Sequence, residues 1–190
     1  MALFAKTPHT QTCRALRGLT MIELLMALTV LAIVTGMAMP AFASLVRGNR
    51  LASSFNLLLS TLQLARSQAI QSRTMVVVCP GDPAHGCTGN SDWHDGWIVV
   101  LRPNASGQPD ARSRIVAVQQ PLPDGIRIQS SRSRQRVQYR PDGSARGSNL
   151  SLRLCLPGQS IAERALVVNN GGRARKVSGK ALASLPKCLP

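Results

Sequence analysis

Arg17-Gly-Leu-Thr-Met-Ile-Glu23 opens the stretch on which the fold turns, and residues 24–46 follow it without a single charge. As a helix those 23 residues extend about 34 Å, more than the roughly 30 Å hydrocarbon core of a bilayer. Glu23 stands beside Ile22, Leu24, Leu25 and Met26. A carboxylate at bilayer centre costs about 2.5–3.5 kcal/mol, so an acid at the head of such a span points to a partner. Two plainer readings compete. A secretory signal would be cut at the small-x-small run Ala41-Phe42-Ala43, and a simple anchor would let Glu23 snorkel to the headgroups. The apolar run exceeds a normal signal core, and neither reading needs an acid at its start. Arg47 and Arg50 beyond the far end keep the basic residues from setting the orientation.

Gly18 lies five residues before Glu23 and follows Lys6, Arg14 and Arg17. Here the sequence resembles the type IV pilin and type II secretion pseudopilin family. The resemblance implies that residues 1–18 are a leader and that prepilin peptidase cuts between Gly18 and Leu19. It also implies that Leu19 becomes an N-methylated terminus, although Phe is commoner there. Glu23 would then meet the terminal amine of a neighbouring subunit, each charge neutralising one that is costly alone in lipid. Residues 19–46 become the membrane and filament-core half of one helix, and residues 47–190 a periplasmic, later extracellular, globular domain with a basic tail. The expected location is the inner membrane, single-pass with its N-terminus cytoplasmic, and then the pilus. Pro40, one turn after Gly36, removes a helix hydrogen bond that subunit packing can make tolerable.

Beyond Arg47 the helix changes character. Leu51, Phe55, Leu58, Leu62, Ala65 and Ala69 recur every three or four residues, with Leu59 widening the stripe, which predicts an amphipathic helix to about Arg73 laid on a sheet. Residues 74–79 (Thr-Met-Val-Val-Val-Cys) predict a buried strand stopped by Pro80-Gly81, and residues 93–101 a second strand. The run Gln63-Leu-Ala-Arg-Ser-Gln-Ala-Ile70, the strand into Cys79-Pro80, and Asp95-Gly-Trp-Ile-Val99 are similar to FimT/GspH-type minor pilins. Residues 114–118, 125–128, 136–139, 149–156 and 164–169 are shorter strand candidates. The expected fold is α+β, a long N-terminal helix packed on a mostly antiparallel β-sheet region.

Cys13 belongs to the leader, leaving Cys79, Cys87, Cys155 and Cys188 in a chain exported to an oxidising compartment. Of three connectivities, Cys79–Cys87 and Cys155–Cys188 are favoured, one closing a short loop and the other pinning the tail. A zinc site using His85 and His94 with Cys79 and Cys87 is the alternative, but the spacing repeats no known finger. No cofactor is expected.

The formal charge is +15, from 23 basic and 8 acidic residues. Removing residues 1–18 takes away three cations and no acid, leaving +12. Arginines outnumber lysines 19 to 4, which favours bidentate recognition of phosphate or carboxylate. Asn169-Asn-Gly-Gly172 reads as a turn, and Arg173 and Arg175 on an extended segment share a side about 7 Å apart. Lys176, Lys180 and Lys187 extend that charge. The run Gly172-Arg173-Ala174-Arg175 resembles the Gly-Arg-x-Arg DNA-binding signature of FimT-type pilins, although four residues also suit a solvated basic hairpin. An auxiliary basic cluster contains Arg127, Arg132, Arg134, Arg136, Arg140 and Arg146; on a strand, Arg132, Arg134 and Arg136 would share one face. Aromatic residues are too scarce for a stacking platform, which favours phosphate contacts to duplex DNA. No nucleophile elbow, P-loop or HExxH motif is present, and the protein is expected to be a peptidase substrate and not an enzyme.

The resemblance therefore implies a minor type IV pilin that binds double-stranded DNA non-specifically and supports uptake in natural transformation or pilus assembly. Its partners would be DNA, other major and minor pilins, prepilin peptidase and the inner membrane. A GspH-type pseudopilin, a structural subunit of a type II secretion system, is the alternative.

Overall fold

A computed structural model describes residues 18, 20–122, 125–131, 133–156 and 159–178. The chain divides into two units, Met1–Ser44 and Leu45–Pro190. Helix α1 (Met21–Ser72) contains Pro40 and runs through the boundary between them. Thr20 starts it: its hydroxyl accepts a hydrogen bond from the Glu23 backbone N–H at 3.3 Å. Thr-x-x-Glu is the sequence of a capping box, a signal the hydrophobic reading of this segment passed over. In the first unit the helix exposes large apolar side chains from Met21 to Phe42, and it is long and apolar enough to cross a membrane. Arg73, at φ 51°, takes the left-handed conformation that ends helices.

In the second unit the same helix buries Leu51, Ser54, Phe55, Leu58, Thr61, Leu62, Ala65 and Ala69. This is the predicted stripe, joined by two small polar residues on its border. It covers two antiparallel sheets. The first has the order β2 (Gly86–Cys87), β1 (Val76–Asp82), β3 (Trp97–Leu101), β4 (Arg114–Gln119), with β6 (Val137–Tyr139) also paired to β1. The second runs β5 (Arg127–Ser130), β7 (Leu150–Leu156), β8 (Gln159–Val168), β9 (Ala174–Val177). The helix stripe, Val76, Val78, Trp97, Val99, Tyr139, the alternate leucines of β7, Leu166 and Val168 form one core. Each large apolar side chain so buried contributes about 1.5–3 kcal/mol.

The unbroken apolar run of β1 follows from its burial on both faces. Val76 and Val78 face the main core, while Val77 and Cys79 join Cys87, Ile98 and Val100 in a smaller cluster. The Gln108 side chain fastens the edge of that cluster, accepting from the Cys87 N–H and donating to the Cys87 carbonyl, both at 2.9 Å. The Cys79–Cys87 disulfide closes the hairpin.

Several local expectations need correction. β1 does not stop at Pro80-Gly81 but continues to Asp82, because Gly81 pairs with Cys87 and Asp82 with Gly86. The strand expected from Trp93 begins only at Trp97. Trp93 instead enters the core from a loop, and His94 sits in a turn with its ring nitrogen 3.4 Å from the Ile128 carbonyl. Short β2 is not among the expected strands, and β9 gives the extended segment around Arg175 a ladder partner; each owes its form to a longer neighbour.

The Leu45–Pro190 unit is expected to unfold in one urea transition. Leu58→Ala should cost it about 2–5 kcal/mol, whereas Leu57→Ala, at the exposed position beside it, should stay within about 0.5 kcal/mol.

Candidate functional site

The residues Asn169–Arg173 join β8 to β9 as a tight turn. The Gly172 N–H donates to the Asn169 carbonyl at 2.8 Å, the Asn169 N–H to the Arg173 carbonyl at 3.2 Å, and the Arg173 N–H to the Asn169 side-chain oxygen at 3.0 Å. β9 then pairs Ala174 with Val168, Arg175 with Val167 and Lys176 with Leu166. Because Val168 and Leu166 point into the core, Ala174 and Lys176 share the helix-facing side of the sheet, and Arg175 takes the other. Arg173 stands just before β9, at the end of the turn, two residues from Arg175. Arg173, Arg175 and Lys176 are all exposed. Among the described residues none of them has a carboxylate within 4 Å.

Gly172 is the exception to this openness: it is buried. Its φ is +74°, and a Cβ built there would lie 2.0 Å from the Gly143 carbonyl oxygen and 3.3 Å from Arg66 Nε. No other residue permits that approach. Gly143 belongs to the turn between β6 and β7, and its carbonyl accepts a hydrogen bond from Arg66 Nε at 3.0 Å. The Ala145 N–H donates to the Asn170 carbonyl at 2.9 Å. Helix α1, the residue 140–148 loop and the β8–β9 turn are thus tied together at one point. Leu62, Gln63 and Arg66 of the helix line a groove of about 200 Å³ with Gly172, Arg173 and Ala174. The sequence gives Arg66 no visible role, since nothing local signals a contact 77 residues away.

The other candidates lie elsewhere. Arg134 and Arg136 do not share a strand face, because β6 begins at Val137. Both are half-buried, Arg134 donating to the Gly147 carbonyl and Arg136 to the Ser106 carbonyl. Their guanidiniums hold loops, which corrects the expectation of an exposed row. They line a cavity of about 370 Å³ together with Cys79, Cys87 and Gln138. Disulfide bonding removes Cys79 and Cys87 as thiolate ligands, and His85 is engaged with Asp82 at 3.0 Å. The bonds from His85 and from the Ala84 and His85 N–H groups hold the Asp82 carboxyl below its usual range. His94 Nε2 accepts from Arg127 at 3.1 Å. Cys155, buried on β7, is disulfide-bonded. Leu19, Arg132, Lys180, Lys187 and Cys188 lie outside the described residues. Gly18 and Glu23 belong to the N-terminal unit, and both are exposed there.

Comparison with known proteins adds a context to this geometry. Residues 54–172 match the family model for the type II transport protein GspH, and residues 13–39 match the prokaryotic N-terminal methylation motif. The fold is similar to that of the type IV minor pilin FimU of Pseudomonas aeruginosa strain PAO1. In one crystal form the TM-score is 0.56 at 18% identity, covering 73% of this chain and 94% of that one; in a second it is 0.54 at 18%, covering 72% and 97%. The minor pseudopilin EpsH from the type 2 secretion system of Vibrio cholerae aligns with a TM-score of 0.48 at 14% identity, covering 67% of this chain and 95% of that chain. No curated protein sequence matches.

Gly172→Ala is expected to push the β8–β9 turn off the 140–148 loop, costing about 1–3 kcal/mol from the backbone conformation alone. Thermal unfolding should register that loss, and hydrogen exchange at the Ala145 amide, whose acceptor is Asn170, should accelerate.

Proposed function

The chain belongs to the type II transport protein GspH family, and from that premise we propose that it is a minor type IV pilin whose β8–β9 hairpin binds double-stranded DNA and supports DNA uptake. The observation that carries this reading is the pair Arg173 and Arg175, both exposed, two residues apart (about 7 Å along an extended segment) and, among the described residues, with no carboxylate within 4 Å. Exposed guanidiniums on a processed chain of +12 favour a polyanion, and two so spaced can engage neighbouring phosphates of one strand. Contacts of this kind position the duplex and carry no sequence information. Lys176, exposed on the same hairpin, adds to that charge.

In this reading the match to the N-terminal methylation motif over residues 13–39, a span that includes Gly18, Leu19 and Glu23, supports processing between Gly18 and Leu19. Prepilin peptidase removes residues 1–18, residues 19–46 anchor the subunit in the inner membrane and then in the filament, and Glu23 meets a neighbour's terminal amine. Residues 47–190 are exported. The Thr20 cap leaves the Glu23 carboxylate in the first helical turn, where the helix dipole favours an anion before any partner arrives. A structural role in a type II secretion system is the second reading, favoured by the description of the matching family. A secretion subunit needs no affinity for DNA.

The test is anisotropy of a labelled duplex titrated with full-length protein in non-ionic detergent at several salt concentrations. Binding should weaken with salt, and Arg173→Gln with Arg175→Gln should lower the log–log slope by about 1.8. Equal affinity and slope in the variant would reject the site, and no binding by the wild type would leave the secretion reading.

A further inference from the structure

We propose that Arg140 and Arg146, on the loop between β6 and β7, form a second row of phosphate contacts beside the hairpin, so that duplex DNA lies across both. This rests on the DNA-binding reading above. It adds two residues that belong to no motif and that lie about 30 positions away in sequence.

Two contacts hold the loop against the hairpin, and a third ties it to the helix. The Ala145 N–H reaches the Asn170 carbonyl, the Gly143 carbonyl abuts the Gly172 backbone, and Arg66 Nε holds that same carbonyl from the helix. The loop is also stiff within itself. The Arg140 N–H donates to the Ser144 carbonyl at 2.9 Å, the Gly143 N–H to the Arg140 carbonyl at 2.8 Å, and the Ser148 N–H to the Ala145 carbonyl at 3.0 Å. Arg140 and Arg146 flank these turns and are exposed. Among the described residues neither guanidinium has a carboxylate within 4 Å. A basic side chain on a rigid base loses less freedom when it meets a phosphate than one on a mobile tail.

One acid stands between them. Asp142 Oδ1 accepts the Ser144 N–H at 2.8 Å, and its carboxyl is held below the usual range chiefly by the Ser144 hydrogen bonds and then by Arg146 and Arg140. It stays ionised at neutral pH and offsets one of the two charges without pairing with either arginine. With Arg66 half-buried at the junction, the loop and hairpin together still present a clear excess of positive charge. A polyanion long enough to cover both gains from each, as a short anion seated at the hairpin alone would not.

The experiment compares salt dependence of duplex binding by full-length protein in detergent, since each phosphate contact adds about 0.9 to the log–log slope. Arg140→Gln with Arg146→Gln should lower the slope by about 1.8 while the thermal midpoint holds. Arg140→Lys with Arg146→Lys should keep the slope, and the same neutralisation at exposed Arg112 and Arg114 should not reduce it. An unchanged slope in the Arg140/Arg146 glutamine variant, with the Arg173/Arg175 variant still reduced, overturns this inference and leaves the hairpin site standing. A reduction of equal size at Arg112 and Arg114 overturns it too, since net charge would then be the cause. Absence of binding by the wild type overturns both.

Discussion

One apolar stripe on one helix holds the globular unit together. From Leu51 to Ala69 the inward face of α1 is met by side chains from both sheets, so that neither sheet has a complete core without it. The stripe also sets where everything else can be. Arg66 follows Ala65 on the edge of the buried face and reaches the Gly143 carbonyl, which is in turn the surface on which Gly172 rests. A hydrophobic register on the helix thereby fixes the position of a basic hairpin at the far end of the chain.

That chain of contacts gives the glycine of Gly-Arg-x-Arg a structural explanation. In the proposed role the two arginines need exposure, which the turn and the edge strand supply. The glycine does not. It is buried, at a positive φ, and against a backbone carbonyl, so it anchors the turn from which the arginines project. Charged residues on an edge strand also discourage pairing with another chain, and β9 gains that protection whatever else it binds.

How much of this was legible in the sequence depended on how local the cause was. The helix stripe was readable because 3.6-residue periodicity and burial coincide: six of the seven residues it named are buried and Leu59 is half-buried beside them. Val76–Val78 was readable as a strand buried on both faces because its apolar run is unbroken. β2 and β9 were not, since two- and four-residue strands take their form from partners and not from their own composition. Pro80 misled as a stop because it punctuates strands in isolation, whereas here the chain beyond it finds Gly86 and Cys87 to pair with. Arg134 and Arg136 depart from the expected strand face for a related reason. Alternation implied a strand, but the guanidiniums of Arg134 and Arg136 are spent on carbonyls of distant loops, and no spacing rule anticipates that. Arg66 escaped notice on the same ground.

The central claim is that DNA lies on the surface formed where the hairpin meets the loop. Hydrogen–deuterium exchange of the full-length protein in detergent, with and without a saturating duplex, addresses it directly. The account predicts slowed exchange confined to residues 139–148 and 169–177. Protection confined instead to the 102–113 loop, or no protection anywhere, would contradict it.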